Sequence, residues 1–288
     1  MSGSPVYRPH PEAPARARLR PCPTGCPGLT SHRFEIVSRG DFVPGRIHLP
    51  ADPEPASTGE PIGKDHPLPL LLLQPASTTA PEADRDLFSS MVHAGFAVAT
   101  IDLPLHGARS SPKLSARLLE GLSRLALPGA EVDCETRILV EEFCRQATSD
   151  LIRTLDALTA LPLIDRERIG FFGQGIGGSV GCHLLAHDER TRAAVLSSIL
   201  PLAGAPGFDP TRQISRSTVS SILVIESETD DAETRDTMRV LFEAAPEPRE
   251  RLELPAVSEA TRGSDQGGRQ EIERFLQKAL GIQAGSVL

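Results

Sequence analysis

Apolar residues along this chain follow two spacings in turn. Short continuous or alternating runs mark strands, and stretches with an apolar residue every third or fourth position mark helices. Residues 33–37 and 43–49 are strand-like and are joined by Ser38-Arg39-Gly40-Asp41, a turn signal, so they predict an antiparallel hairpin. Residues 68–73 form a continuous apolar run of the kind buried on both faces of a parallel sheet. Residues 97–101 form a second such run, and the helical 81–94 between them completes a βαβ unit. Helix-like 114–127 ends at Pro128. Residues 131–160 then give a long helical pattern with Ala147, Leu151, Leu155 and Leu158 on one stripe, and Pro162 and Asp165 mark its exit. Further strands are expected at 169–172, 193–200, 222–225 and 251–254, with a Pro/Gly/Ser loop running to Ser220. The intervening helices are 180–186 and one presenting Met238, Leu241, Phe242 and Ala245. A last helix, 269–280, places Ile272, Phe275, Leu276, Ala279 and Leu280 at helical spacing. No internal repeat is visible. Strands alternating with helices specify the α/β class, a mostly parallel sheet covered on both faces.

Composition sets the outer bounds. With 288 residues, 39% hydrophobic and 24% charged, the chain suits one large α/β domain or two small ones. Residues 1–30 are rich in proline and arginine and poor in large apolar side chains, a composition that does not offset ordering entropy, so they read as a mobile tail ahead of a domain at 31–288. Residues 51–67 are a Pro/Gly loop. A net charge of −8 argues against a phosphate-backbone binder, so nucleic acid is not an expected partner. The apolar run 70–73 is far too short to span a bilayer and the N-terminus lacks the apolar core of a secretory signal, which makes the cytoplasm the default compartment and the membrane no partner. Five cysteines, at 22, 26, 134, 144 and 182, are an odd and scattered set that describes no disulfide framework. Cys22 and Cys26 have the spacing of a metal-ligand pair, but no second pair follows nearby, so the expectation is reduced thiols and no metal.

The chemistry concentrates in residues 168–179, where a short apolar strand feeds a cluster of glycines and then a helix. Two layouts share that form. Gly173, Gly175 and Gly178 satisfy the G-x-G-x-x-G of a dinucleotide-binding turn, and Gly173-Gln174-Gly175-Ile176-Gly177 has the register of a G-x-S-x-G nucleophile elbow with glycine in place of serine. A dinucleotide site needs an acidic residue about 20 positions on, at the end of the next strand, to hold the ribose hydroxyls. That strand ends in Ser197 and Ser198, and the acidic pair Asp188-Glu189 sits in the turn before it.

Four segments in order resemble the α/β-hydrolase superfamily, in its dienelactone-hydrolase-like and acyl-esterase-like branch. They are Gly40-Asp41-Phe42-Val43-Pro44-Gly45, Asp102-Leu103-Pro104-Leu105-His106-Gly107, Asp165-Arg166-Glu167-Arg168-Ile169-Gly170, and the elbow itself; together the resemblance covers 33–280. It implies a triad in the order Ser, Asp or Glu, His. The nucleophile position is Gly175, which has no attacking oxygen. The acid position, in the turn after strand 222–225, is Asp230, with Asp231 beside it. The base position falls in the loop 256–264, where there is no histidine, and none of the eight histidines lies beyond His187. Glu259 stands near the base position. The oxyanion donors implied are the backbone N–H of Ile176 and, since Pro75 has none, that of Ala76.

Other polar residues have plainer roles available. His106 is a packing residue in this reading, Ser179 a cap or core hydroxyl, Cys182 a buried inert thiol, and Ser77, Thr78 and Thr79 compete between capping and ligand contact. The expectation is a hydrolase-fold protein that has lost catalysis and binds a small carbonyl or anionic ligand, or a protein, with no cofactor. Two alternatives stay open: an active ester hydrolase, lyase or isomerase using the oxyanion donors and Asp230, and dinucleotide binding at Gly173, Gly175 and Gly178.

Overall fold

The structure is a computed structural model that describes residues 15–24, 26–51, 67–75, 81–127, 131–202, 205, 207–255 and 266–282. Its strands are β1 Arg20–Cys22, β2 Leu29–Ser38, β3 Asp41–Pro50, β4 Leu68–Gln74, β5 Ala97–Ile101, β6 Ile164–Gln174, β7 Thr191–Ser197, β8 Ser221–Ser227 and β9 Arg249–Leu254. They form one nine-stranded sheet in the order β1-β2-β3-β5-β4-β6-β7-β8-β9. From β1 to β5 the sheet pairs antiparallel through the hairpin, and from β5 to β9 every pair is parallel. The helices are α1 Pro81–His93, α2 Pro112–Ala126, α3 Cys134–Thr159, α4 Gly175–His187, α5 Pro210–Ile214, α6 Ala232–Ala244 and α7 Gln266–Ala279.

β4 shows why the apolar run is continuous. Leu70 and Leu72 join the core beneath α3 and α4, while Leu71 and Leu73 join a second core with Met91 and Val92 of α1 and Ile272, Phe275 and Leu276 of α7. Side chains alternate along a strand, so a strand covered on both faces needs apolar residues at every position. Each of these leucines, fully buried, contributes about 1.5–3 kcal/mol. The stripe on α3 extends the expected one, with Val140, Phe143 and Cys144 buried alongside Ala147, Leu151, Leu155 and Leu158. Two elements lie where none was predicted. β1 pairs with β2 inside the Pro/Arg-rich segment expected to be a tail, and α5 interrupts the expected loop before Ser220. β1 carries no apolar alternation because it is a short edge strand, and α5 is too short to show a period.

Candidate functional site

The order β5-β4-β6 contains the point at which the chain turns from building the sheet in one direction to building it in the other. In open α/β sheets the crevice at the carboxyl ends of the strands flanking such a point is where ligands bind. Here those ends are Gln74-Pro75 and Gln174-Gly175, brought side by side by the pairing of Gln74 with Gly173. Gly175 opens α4 with φ of 55°, the left-handed conformation that a side chain at an elbow must be forced into and that glycine adopts freely. Gly173 and Gly177, two positions to either side, are glycines because the turn leaves no room for a side chain. A Cβ on Gly177 would overlap the Gln74 carbonyl, and one on Gly173 would stand 2.6 Å from the Gly178 Cα. The Ile176 N–H is among the first donors of α4, which have no acceptor within the helix, and the helix dipole adds partial positive charge there.

Three strand ends line up beside the glycine turn. Gln174 pairs with Ser197 and Ser197 with Ile225, so the turns after β6, β7 and β8 are neighbours. Ser198, just past β7, also takes a left-handed φ, 48°, and its Oγ donates to Asp230 Oδ1 at 2.8 Å. The other carboxylate oxygen, Oδ2, accepts from the Ser227 N–H at 3.4 Å. The Asp230 carboxylate is thus engaged by a serine hydroxyl that reaches it from the end of the strand beside β6. Asp231 turns away to cap α6: its carboxylate accepts from the Thr234 N–H at 2.7 Å, and the Thr234 bonds hold its pKa below the usual carboxylate range. Sequence reasoning placed Ser198 at the end of β7 but gave it no part in the site. The available signal was a polar residue at the carboxyl end of the parallel strand next to the elbow.

The remaining sequence candidates sort into structural roles. Ser179 is buried and ties α4 to the loop after β7: its single O–H proton is shared between the carbonyls of Gly175, 3.1 Å, and Leu200, 3.0 Å, and its Oγ accepts from the Leu200 N–H at 3.1 Å. The fully buried Cys182 thiol is pushed up by desolvation, as an inert core sulfur is, and Cys144 likewise rises to about 12. His106 Nδ1 donates to the Pro104 carbonyl at 2.8 Å and its ring lies 5.7 Å from that of Phe143, a packing position. The segment around it is held by Asp102, whose Oδ2 accepts from the Ala108 N–H at 2.9 Å, and by Arg109, which donates at 3.1 Å to the Asp102 carbonyl and at 2.7 Å to Asp150. Asp165 accepts from Arg168 Nε at 2.6 Å, and Arg168 also donates to the Pro67 carbonyl, so this motif joins the starts of β6 and β4. Ala76, Ser77, Thr78, Thr79 and the loop 256–264 with Glu259 lie outside the described residues.

Among the described residues, no three His, Cys, Asp or Glu side chains come together as a metal centre requires, and no helix is long and apolar enough to cross a membrane. A cavity of about 1080 Å³ lies on the antiparallel part of the sheet and reaches Pro75, Phe88 and Asp102; it is not lined by Gly175, Ile176 or Asp230.

Solved structures settle the fold. An acetyl xylan esterase from Paenibacillus superposes with a TM-score of 0.67 at 14% identity, over 93% of this chain and 90% of that one. The architecture is the α/β-hydrolase fold. An acetyl xylan esterase from Thermoanaerobacterium matches this α/β-hydrolase-fold chain with a TM-score of 0.64 at 13% identity, covering 94% of this chain and 89% of its own. A dienelactone hydrolase from Anabaena variabilis gives 0.61 at 17% identity, covering 88% and 99%. No family model matches the chain. No curated protein matches its sequence. β7 ends at Ser197, followed by Ser198, without the carboxylate a dinucleotide turn would need.

Proposed function

We propose that this is a catalytically degenerate α/β-hydrolase-fold protein of esterase-like lineage that binds, without turnover, a small ligand presenting a carbonyl or an anionic group to the crevice at the Ile176 N–H. The observation that carries the reading is the bond from Ser198 Oγ to Asp230 Oδ1, 2.8 Å, beside a glycine at the elbow. A triad works because the acid orients an imidazole that takes the nucleophile's proton. Here the acid accepts from a hydroxyl, the nucleophile position has no oxygen, and no histidine follows His187 in the sequence. What such a crevice retains is electrostatic: helix-terminal N–H groups that favour a carbonyl oxygen or an anion whether or not a reaction follows.

The test is hydrolysis of p-nitrophenyl acetate and butyrate by the purified full-length chain. Release of nitrophenolate at the rate of buffer, unchanged in Asp230→Asn, is the expected result. A saturable rate that Asp230→Asn abolishes would overturn the reading in favour of an enzyme working through the oxyanion donors and that carboxylate.

A further inference from the structure

A second feature stands apart from the elbow. Register places Arg20 of β1 opposite Arg33 of β2, Arg33 opposite Arg46 of β3, and Arg46 opposite Thr100 of β5. Residues directly opposite across strands project from the same face, and strands lie about 4.8 Å apart. The three arginines therefore form a row of about 10 Å on one face of the sheet, with a hydroxyl at its end. All four residues line the cavity of about 1080 Å³, as do Arg18 and His48.

Like charges in directly opposed positions destabilise a sheet. The chain elsewhere spends its arginines differently: Arg109, Arg117, Arg145, Arg168 and Arg190 each sit within ion-pair distance of a carboxylate, in a protein with 38 acidic and 30 basic residues. Arg18, Arg20, Arg33 and Arg46 have no such partner among the described residues, although Glu35 and Asp102 stand in the cavity wall. Asp102 is engaged by the Ala108 N–H. The field acts on His48, whose Nδ1 lies 2.7 Å from Ser31 Oγ: burial first, and then the charge of Arg46, lowers its basicity. Guanidinium groups present a planar fork that grips phosphate and carboxylate oxygens in pairs, and Arg20, Arg33 and Arg46 are exposed enough to do so.

We propose that this cavity binds a linear small polyanion, with at least two acidic groups about 5–10 Å apart lying across β1, β2 and β3 on the arginine row. Oligophosphates and acidic oligosaccharides both present that chemistry. The inference does not depend on what happens at Gly175.

Cys22 and Cys26 line the same cavity and are partly exposed, while Cys134 is exposed elsewhere on α3, so the full chain carries its own reporter and control. The experiment measures maleimide labelling of each thiol by mass spectrometry during titration with sodium tripolyphosphate or trigalacturonate at constant ionic strength. Saturable protection of Cys22 and Cys26 with Cys134 unaffected is expected, with a midpoint roughly tenfold or more higher in Arg33→Gln. Protection by tripolyphosphate alone identifies a phosphate site, and protection by trigalacturonate alone a site for acidic sugars. Without ligand, Arg33→Gln should melt above the wild type at low salt, because a repulsion has been removed, and should lose the ligand-induced rise. Unchanged labelling of both thiols with either polyanion, or an unchanged midpoint in Arg33→Gln, overturns the proposal.

Discussion

A φ of 55° at Gly175 is where one residue decides what this crevice can do. A β-branched side chain held there meets steric strain, so Gly175→Val should lower the unfolding free energy by about 1–3 kcal/mol, read as a lower urea midpoint at constant m-value. An unchanged midpoint would mean the turn is not an elbow. Asp230 gives a second reading at this scale. Asp230→Asn keeps an oxygen for the Ser198 hydroxyl and should change stability little, whereas Asp230→Ala leaves that hydroxyl without its acceptor and should cost about 1–2 kcal/mol. Equal effects of the two variants would show that the bond contributes nothing. The glycine turn at 173–178 and the turn carrying Asp230 were legible as local elements, because each follows an apolar strand run in order along the chain. Ser198 was not, because its partner is 32 residues away and only parallel register brings the two turns together.

Among the elements, α4 carries the coupling between site and core. Ser179 fastens its first turn to Leu200, and one turn on, His183 is fully buried with Nε2 donating to the Phe208 carbonyl at 3.0 Å. Desolvation, the main cause, pushes His183 down to about 4, opposed by the Phe208 bond and reinforced by His187. Below its ordinary value near 6.5 the unfolded chain therefore takes up a proton that the folded one refuses. The stability contributed by neutral His183 is complete above about pH 6.5 and is lost as the pH falls toward 4, by on the order of 3 kcal/mol across the window. Melting from pH 4 to 7 should show this slope, and His183→Gln should flatten it relative to the wild type; an identical slope in both would remove His183 as its source. His48 shifts in the same direction and leaves a residual slope in the variant. Element by element, periodicity found β4, α3 and α7 because packing demands it of both faces of a central strand and one face of a covering helix. It missed β1 and α5, whose short lengths leave no period to read.

For the whole molecule, parallel register brings Gly175, Ser198 and Asp230 to neighbouring turns at the carboxyl ends of β6, β7 and β8, and on the reading proposed above these parts do not complete a catalyst. Restoring one part should then restore almost nothing. A serine at 175 would stand beside the Ile176 N–H, yet a hydroxyl attacks slowly until a base removes its proton, and Ser198 already holds the acid that would orient such a base. In the serine-protease triad, catalysis left after loss of a member is only about 10³–10⁴ over water. Gly175→Ser should accordingly be nearly inert towards activated aryl esters. A histidine introduced at Ser258 or Glu259, where the hydrolase resemblance puts the base, should by itself add nothing measurable. Combined with Gly175→Ser and with Ser198→Ala to release Asp230, it should raise the rate well beyond the sum of the separate changes, because triad members act as a unit. The measurement is kcat/KM for p-nitrophenyl acetate across the wild type, the single variants and the combination. Substantial hydrolysis by the wild type or by Gly175→Ser alone would reveal a working base in this crevice, and the degenerate-enzyme reading would fall.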